Sequence, residues 1–103
     1  MNLSTLGLMK KKGCLIVGFD AVKNELAAPR SKVKGIALSK DISPKTKKEV
    51  VFFRDKFRSE ADIIELDADM EQIGNIIGKK TGIAAITDEG FWKAISQGCK
   101  PIK

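Results

Sequence analysis

With 103 residues, 43% of them hydrophobic, the chain has material for one domain with a modest core, and multi-domain readings fall away. No apolar window reaches the roughly 18 residues of a membrane span. Residues 1–9 lack the long apolar core and small-residue cleavage site of a signal peptide, so a cytoplasmic protein without membrane contact is expected. There is no histidine, and the two cysteines, Cys14 and Cys99, stand at no ligand spacing. That inventory argues against an ordinary zinc site and removes histidine-activated nucleophiles, so no metal, cofactor or catalytic residue is expected.

The net charge of +6 is unevenly spread: residues 1–48 hold 11 Lys/Arg against 3 Asp/Glu, and residues 49–103 hold 8 against 10. Such segregation points to one cationic face suited to a polyanionic partner, provided folding does not intermix the two halves.

In chain order, Leu3, Leu6 and Met9 recur at helical spacing, with Asn2 or Ser4 as the cap. Gly13 is placed to end this helix after Lys10, Lys11 and Lys12, whose charges complement the negative end of its dipole. Residues 14–17 form a short apolar run between glycines and read as a buried strand. Asp20 opens a second helix as its N-cap; it runs to about Ala28, buries Val22 and Leu26 and stops at Pro29. A helix start between Lys10, Lys11 and Lys12 on one side and Arg30, Lys32 and Lys34 on the other is a place for an anionic backbone.

Residues 33–39 read as a central strand covered on both faces. Ser43 as N-cap and Pro44 as first helical residue open a long helix whose apolar stripe is Val50, Phe53 and Phe57, widened by Val51 and Phe52. These aromatics are assigned to the core, not to base stacking. Lys45, Lys47 and Lys48 stand in the first turns, where the dipole disfavours cations and a bound anion would offset the cost. Residues 62–66 read as a third strand. Asp67 or Asp69 then caps a helix with Met70, Ile73 and Ile77 that closes at Gly78. Residues 83–86 form a fourth strand. Thr87 or Asp88 caps a last helix with Phe91 and Ile95 inward, ended by Gly98 and Pro101. Strands alternating with helices call for helices on both sides of a sheet.

Residues 74–81, Gly-Asn-Ile-Ile-Gly-Lys-Lys-Thr, look like a phosphate-binding loop at a glance. The glycine spacing is one residue short, Lys80 separates Lys79 from Thr81, and a helix precedes where a strand is required, so a helix C-cap followed by a basic turn explains the stretch better. Asp67 and Asp69 read as caps and not as an acid pair for catalysis.

Five blocks stand in the order and spacing of one family: Leu6-Gly7-Leu8, residues 17–22, residues 36–44, residues 73–79 and residues 85–91. Together they resemble the ribosomal protein L-seven-Ae / L-thirty-e-like superfamily, and within it the small bacterial L-seven-Ae-like proteins. The resemblance covers nearly the whole chain. It implies an α/β fold, a three-layer α-β-α sandwich with a mixed four-stranded sheet, and binding of structured RNA, ribosomal or kink-turn-like.

The kink-turn readers of that family carry Gly-x-Asn-Glu-x-x-Lys at the start of their second helix. Here Gly18 matches, Asp20 replaces the Asn, Ala21 the Glu, and Asn24 the Lys, with Lys23 beside it. Ala21 can satisfy no base edge. The basic loop between Gly78 and Ile83 is shorter than the readers' apolar one, and Lys40 stands where they often have an acid. The expectation is a non-enzymatic monomer that contacts RNA through Gly18, Asp20, Lys23, Asn24, Lys40, Lys79, Lys80 and Thr81, mainly at phosphates and with altered base readout. The alternative is a protein-interaction module on the same fold, with protein partners in place of RNA specificity.

Overall fold

The computed structural model describes residues 4–97 and 99–102. Asn2, Leu3 and Gly98, used above to cap, line and end helices, lie outside them. The elements are α1 (Ser4–Lys11), β1 (Leu15–Val17), α2 (Phe19–Ala27), β2 (Gly35–Leu38), α3 (Pro44–Phe57), β3 (Asp62–Glu65), α4 (Met70–Ile77), β4 (Ile83–Ile86), α5 (Glu89–Ser96) and β5 (Lys100–Ile102).

Helix boundaries follow local chemistry. The Ser43 hydroxyl accepts the Thr46 N–H at 3.1 Å, and Pro44, whose missing N–H costs nothing in a first turn, follows it. Asp69 and Gln72 form a reciprocal capping box at α4, with bonds of 2.8 and 3.0 Å, and Gly78 ends that helix in the left-handed region. Asp88 caps α5 by accepting the Phe91 N–H at 2.9 Å. Asp20 does not cap α2: Gly18 holds that position without a side-chain bond, and Asp20 lies in the first turn as a partner for the dipole.

The strands form one mixed sheet in the order β1-β4-β2-β3-β5, with β2 and β3 parallel and the other pairs antiparallel. The sheet therefore has five strands and not four. Pro101, read from sequence as a terminator, lies inside the fifth, opposite Ile64 of β3. An edge strand tolerates proline because the ladder there needs N–H groups on one side only.

Side chains alternate across the sheet, and the two hydrophobic clusters divide accordingly. Ala37, Ile64 and Ile86 face a cluster with Leu6 and Met9 of α1, Ile73 and Ile77 of α4, and Trp92 and Ile95 of α5. Ile36, Leu38, Ile63 and Ala85 face the other, with Val22 and Leu26 of α2 and Val50 of α3. Trp92 lies directly on Gly35, where a β-carbon would come within 2.2 Å of the indole. The aromatics of α3 depart from expectation: Phe53 is half-buried, Phe57 is 36% exposed and Phe52 61% exposed. Phe52 is two residues from Val50, about 200° around a helix, and faces away from the sheet. No helix among the described residues is long and apolar enough to cross a membrane.

Candidate functional site

At one end of the sheet β1, β2 and β3 finish and β4 begins, so the connections leading into α2, α3 and α4 meet the turn that leaves α4. Backbone bonds lace them together. The Gly18 N–H donates to the Ile83 carbonyl at 3.1 Å, the Ser39 N–H to Gly82 at 2.9 Å and the Lys40 N–H to Ala68 at 2.9 Å.

Two glycines set the local geometry. Gly18 has φ +101°, a conformation that side chains with a β-carbon rarely adopt, and its open face looks toward the Lys79 ammonium: Nζ is 3.9 Å from where a β-carbon would be. Gly74 lets the turn fold back over α4, since a β-carbon there would lie 2.9 Å from the Lys80 Cα. Residues 74–81 are thus a packing glycine, a left-handed C-cap and a basic turn, which accounts for their superficial likeness to a phosphate loop. The start of α2 has no side-chain cap, so an ammonium stands beside open helix-terminal amides. That is a chemical arrangement for an anion.

The remaining candidates divide by what they touch. Lys40 pairs with Asp67 at 3.9 Å, with both side chains well exposed. Lys80 is exposed and in no ion pair among the described residues. Asp41 accepts the Met70 N–H at 3.0 Å through its carboxylate and so holds the start of α4. Desolvation would raise the Asp41 pKa, but the Ser39 hydroxyl, the Met70 and Asp41 amides and the Lys80 charge outweigh it and hold the carboxyl below the usual range. Lys23 turns toward α3, its Nζ 4.6 Å from the centroid of Phe53. Asp20 and Asn24 are exposed on α2. Thr81 is 7% exposed, and its hydroxyl donates to the Ile83 carbonyl at 3.1 Å and accepts the Ile83 N–H at 3.3 Å. It shapes the turn from inside and offers no contact to a ligand.

Sequence reasoning missed Asp41 and Ser39, the joint between α4 and the Lys80 turn. It also missed the second role of Lys10, which donates to the Ile77 carbonyl and closes the end of α4. Nothing in the local sequence pairs residues 67 positions apart. The single cationic face is also revised. Lys34 donates its N–H to Ile86 at the far end of the sheet, where β2 begins and β4 ends, because α2 carries the chain back along the sheet before Arg30, Lys32 and Lys34. A shallow groove of about 730 Å³ runs between α1 and α4; Leu8 and Ile76 line it, with Lys10 and Lys11 at its edge.

No protein-family model matches the sequence, and no curated protein sequence matches it. Among solved structures, a protein of unknown function from Bacillus halodurans is similar in fold, with a TM-score of 0.77, 23% identity and 92% of each chain covered.

Proposed function

We propose that this protein binds structured RNA, ribosomal or kink-turn-like, as a non-enzymatic monomer that works at the end of the sheet where Gly18 meets Lys79. One observation carries the reading: the uncapped start of α2 and the Lys79 ammonium share the open face of Gly18, so backbone donors, a dipole and a full charge address one anion. The resemblance of the sequence to the L-seven-Ae / L-thirty-e-like superfamily supports RNA as the source of that anion. Helices on both faces of a mixed sheet agree with the sandwich it implies, with a fifth strand added at the edge.

Lys79 is the primary phosphate contact. Lys40 joins it by exchanging Asp67 for a phosphate, a small cost because exposed pairs are worth about 0–1 kcal/mol, and the exposed Lys80 adds its charge from the same turn as Lys79. Asp20 and Ala21 leave base readout altered, since a carboxylate repels phosphate and a methyl satisfies no base edge. The second reading, a protein-interaction module, is favoured by the groove beside Leu8, which is 46% exposed.

Titrating a kink-turn and a plain duplex at two salt concentrations tests the RNA reading. Affinity for both should fall steeply with salt, with only a modest preference for the kink-turn. Lys79→Glu with Lys80→Glu should weaken both RNAs together. Absence of binding to either RNA at low salt would reject the reading and leave the groove as the surface to pursue.

A further inference from the structure

We propose that the outer face of α3 holds an unpaired stretch of RNA continuing from the structured part bound at Gly18 and Lys79, with a base stacked on Phe52 and phosphates on Lys48 and Lys56. The proposal rests on the RNA reading above and extends it to a second surface and a second RNA form.

Three observations carry it. Phe52 is 61% exposed, the most exposed large apolar side chain among the described residues, on a helix that has Val50 and Phe53 available for the sheet side. Lys45, Lys48, Phe52 and Lys56 follow one another at steps of three, four and four residues, so they form one stripe along the helix, and all four are exposed. None of the three lysines is in an ion pair among the described residues; Lys56 lies over the ring of Phe57, its Nζ 5.4 Å from the centroid, and keeps its charge exposed. The exposed acid on that flank, Asp55, is held by Arg54 at 2.7 Å, and Lys47, off the stripe, pairs with Glu65 at 3.8 Å. Glu49, four residues after Lys45 and three before Phe52, lies on the stripe's edge and is half-buried, so the stripe holds three exposed lysines against one partly covered acid.

The stripe is joined to the candidate site by touching rings. Phe19 directly follows Gly18, its ring centroid lies 5.6 Å from Phe53, and Phe53 lies 5.8 Å from Phe52 in an edge contact at 67°. Lys23 over Phe53 adds a cation to that path. An apolar protein partner would cover Phe52 but leave the unpaired lysines beside it poorly solvated. A nucleotide strand satisfies both, because every base has a stacking face and every linkage a negative charge. Aromatic platforms in a cationic track are how single strands are held with little sequence preference.

The test compares a kink-turn stem-loop with and without a single-stranded oligouridylate tail, on wild type, Phe52→Ala, Phe52→Tyr and Lys48→Glu with Lys56→Glu. The tail should tighten wild-type binding by about tenfold, within what one stacked base supplies. Phe52→Ala should erase that gain and leave the tail-less affinity unchanged, Phe52→Tyr should retain it, and the double glutamate variant should erase it without relying on Phe52. If the tail-less RNA binds and the tail adds nothing, this inference is overturned while the RNA reading stands. If neither RNA binds, both are rejected. If wild type self-associates in sedimentation and Phe52→Ala does not, the face is a contact between copies, which also overturns it.

Discussion

The two helical layers of this sheet are built to different ends. On one face α1, α4 and α5 bury Leu6, Met9 and Ile95 almost wholly and seat Trp92 against the bare backbone of Gly35, leaving Leu8 at the groove between α1 and α4. On the other, α2 and α3 bury Val22, Leu26 and Val50 but leave Phe52 outside, with unpaired lysines in line with it. Alternating side chains supply both faces equally, so the difference lies in what the helices carry on their outer sides. A stable domain needs both faces covered, but only the second layer spends an aromatic side chain where water is. The contrast separates residues held for folding from residues free for a partner.

The sharpest way to break the contrast is Gly35→Ala. The added methyl would come within 2.2 Å of the Trp92 indole, a large rigid side chain that is itself buried, so a loss of about 3 kcal/mol and a melting point lower by roughly 10 °C or more are expected in a thermal melt. A loss below about 1 kcal/mol would show that Trp92 moves freely.

Asp69→Ala removes one half of the capping box of α4 and should cost about 1 kcal/mol in urea unfolding. Asp41 gives a pH signature. Its folded pKa is depressed, so its stabilisation is present above the ordinary carboxylate value of about 3.9 and is lost as pH falls through the folded value. The stability difference between wild type and Asp41→Asn should therefore hold steady from pH 7 to 5 and shrink below about pH 4. A difference that grows on acidification would contradict the assignment.

The smallest effects belong to the outer side of α3 and to the basic turn. Phe52→Ala, and Lys79→Glu with Lys80→Glu, should change unfolding free energy by less than about 0.5 kcal/mol, because exposed side chains contribute little to folding. A large loss at Phe52 would place it in the core after all.

Much of this architecture is legible locally. Ser43-Pro44 and Gly78 mark helix ends because each supplies a specific backbone need, and the apolar run at residues 83–86 has no plausible place but inside a sheet. β5 was hidden because three residues around a proline carry no periodicity, and only the open edge of β3 makes them a strand. Of the two apolar neighbours added to the stripe, Val51 packs against the second cluster, whereas Phe52, about 200° around the helix from Val50, falls outside the buried face. At the candidate site, the nearness of Gly18 to Lys79 follows from pairing between β1 and β4, while the commitments of Lys23 to Phe53 and of Lys40 to Asp67 depend on tertiary packing. Thr81 shows the same limit: its place beside two lysines suggested a contact, and its hydroxyl is spent inside the turn.

Arg30, Lys32 and Lys34 form a rival basic cluster at the far end of the sheet, and this makes the location of binding the decisive question. Following backbone amide signals of isotope-labelled protein by NMR while a kink-turn RNA is added answers it. The earliest and largest shifts should fall on residues 18–24 and 78–82, with Lys40 following. Shifts centred on residues 30–34, with residues 18–24 and 78–82 unmoved, would contradict it.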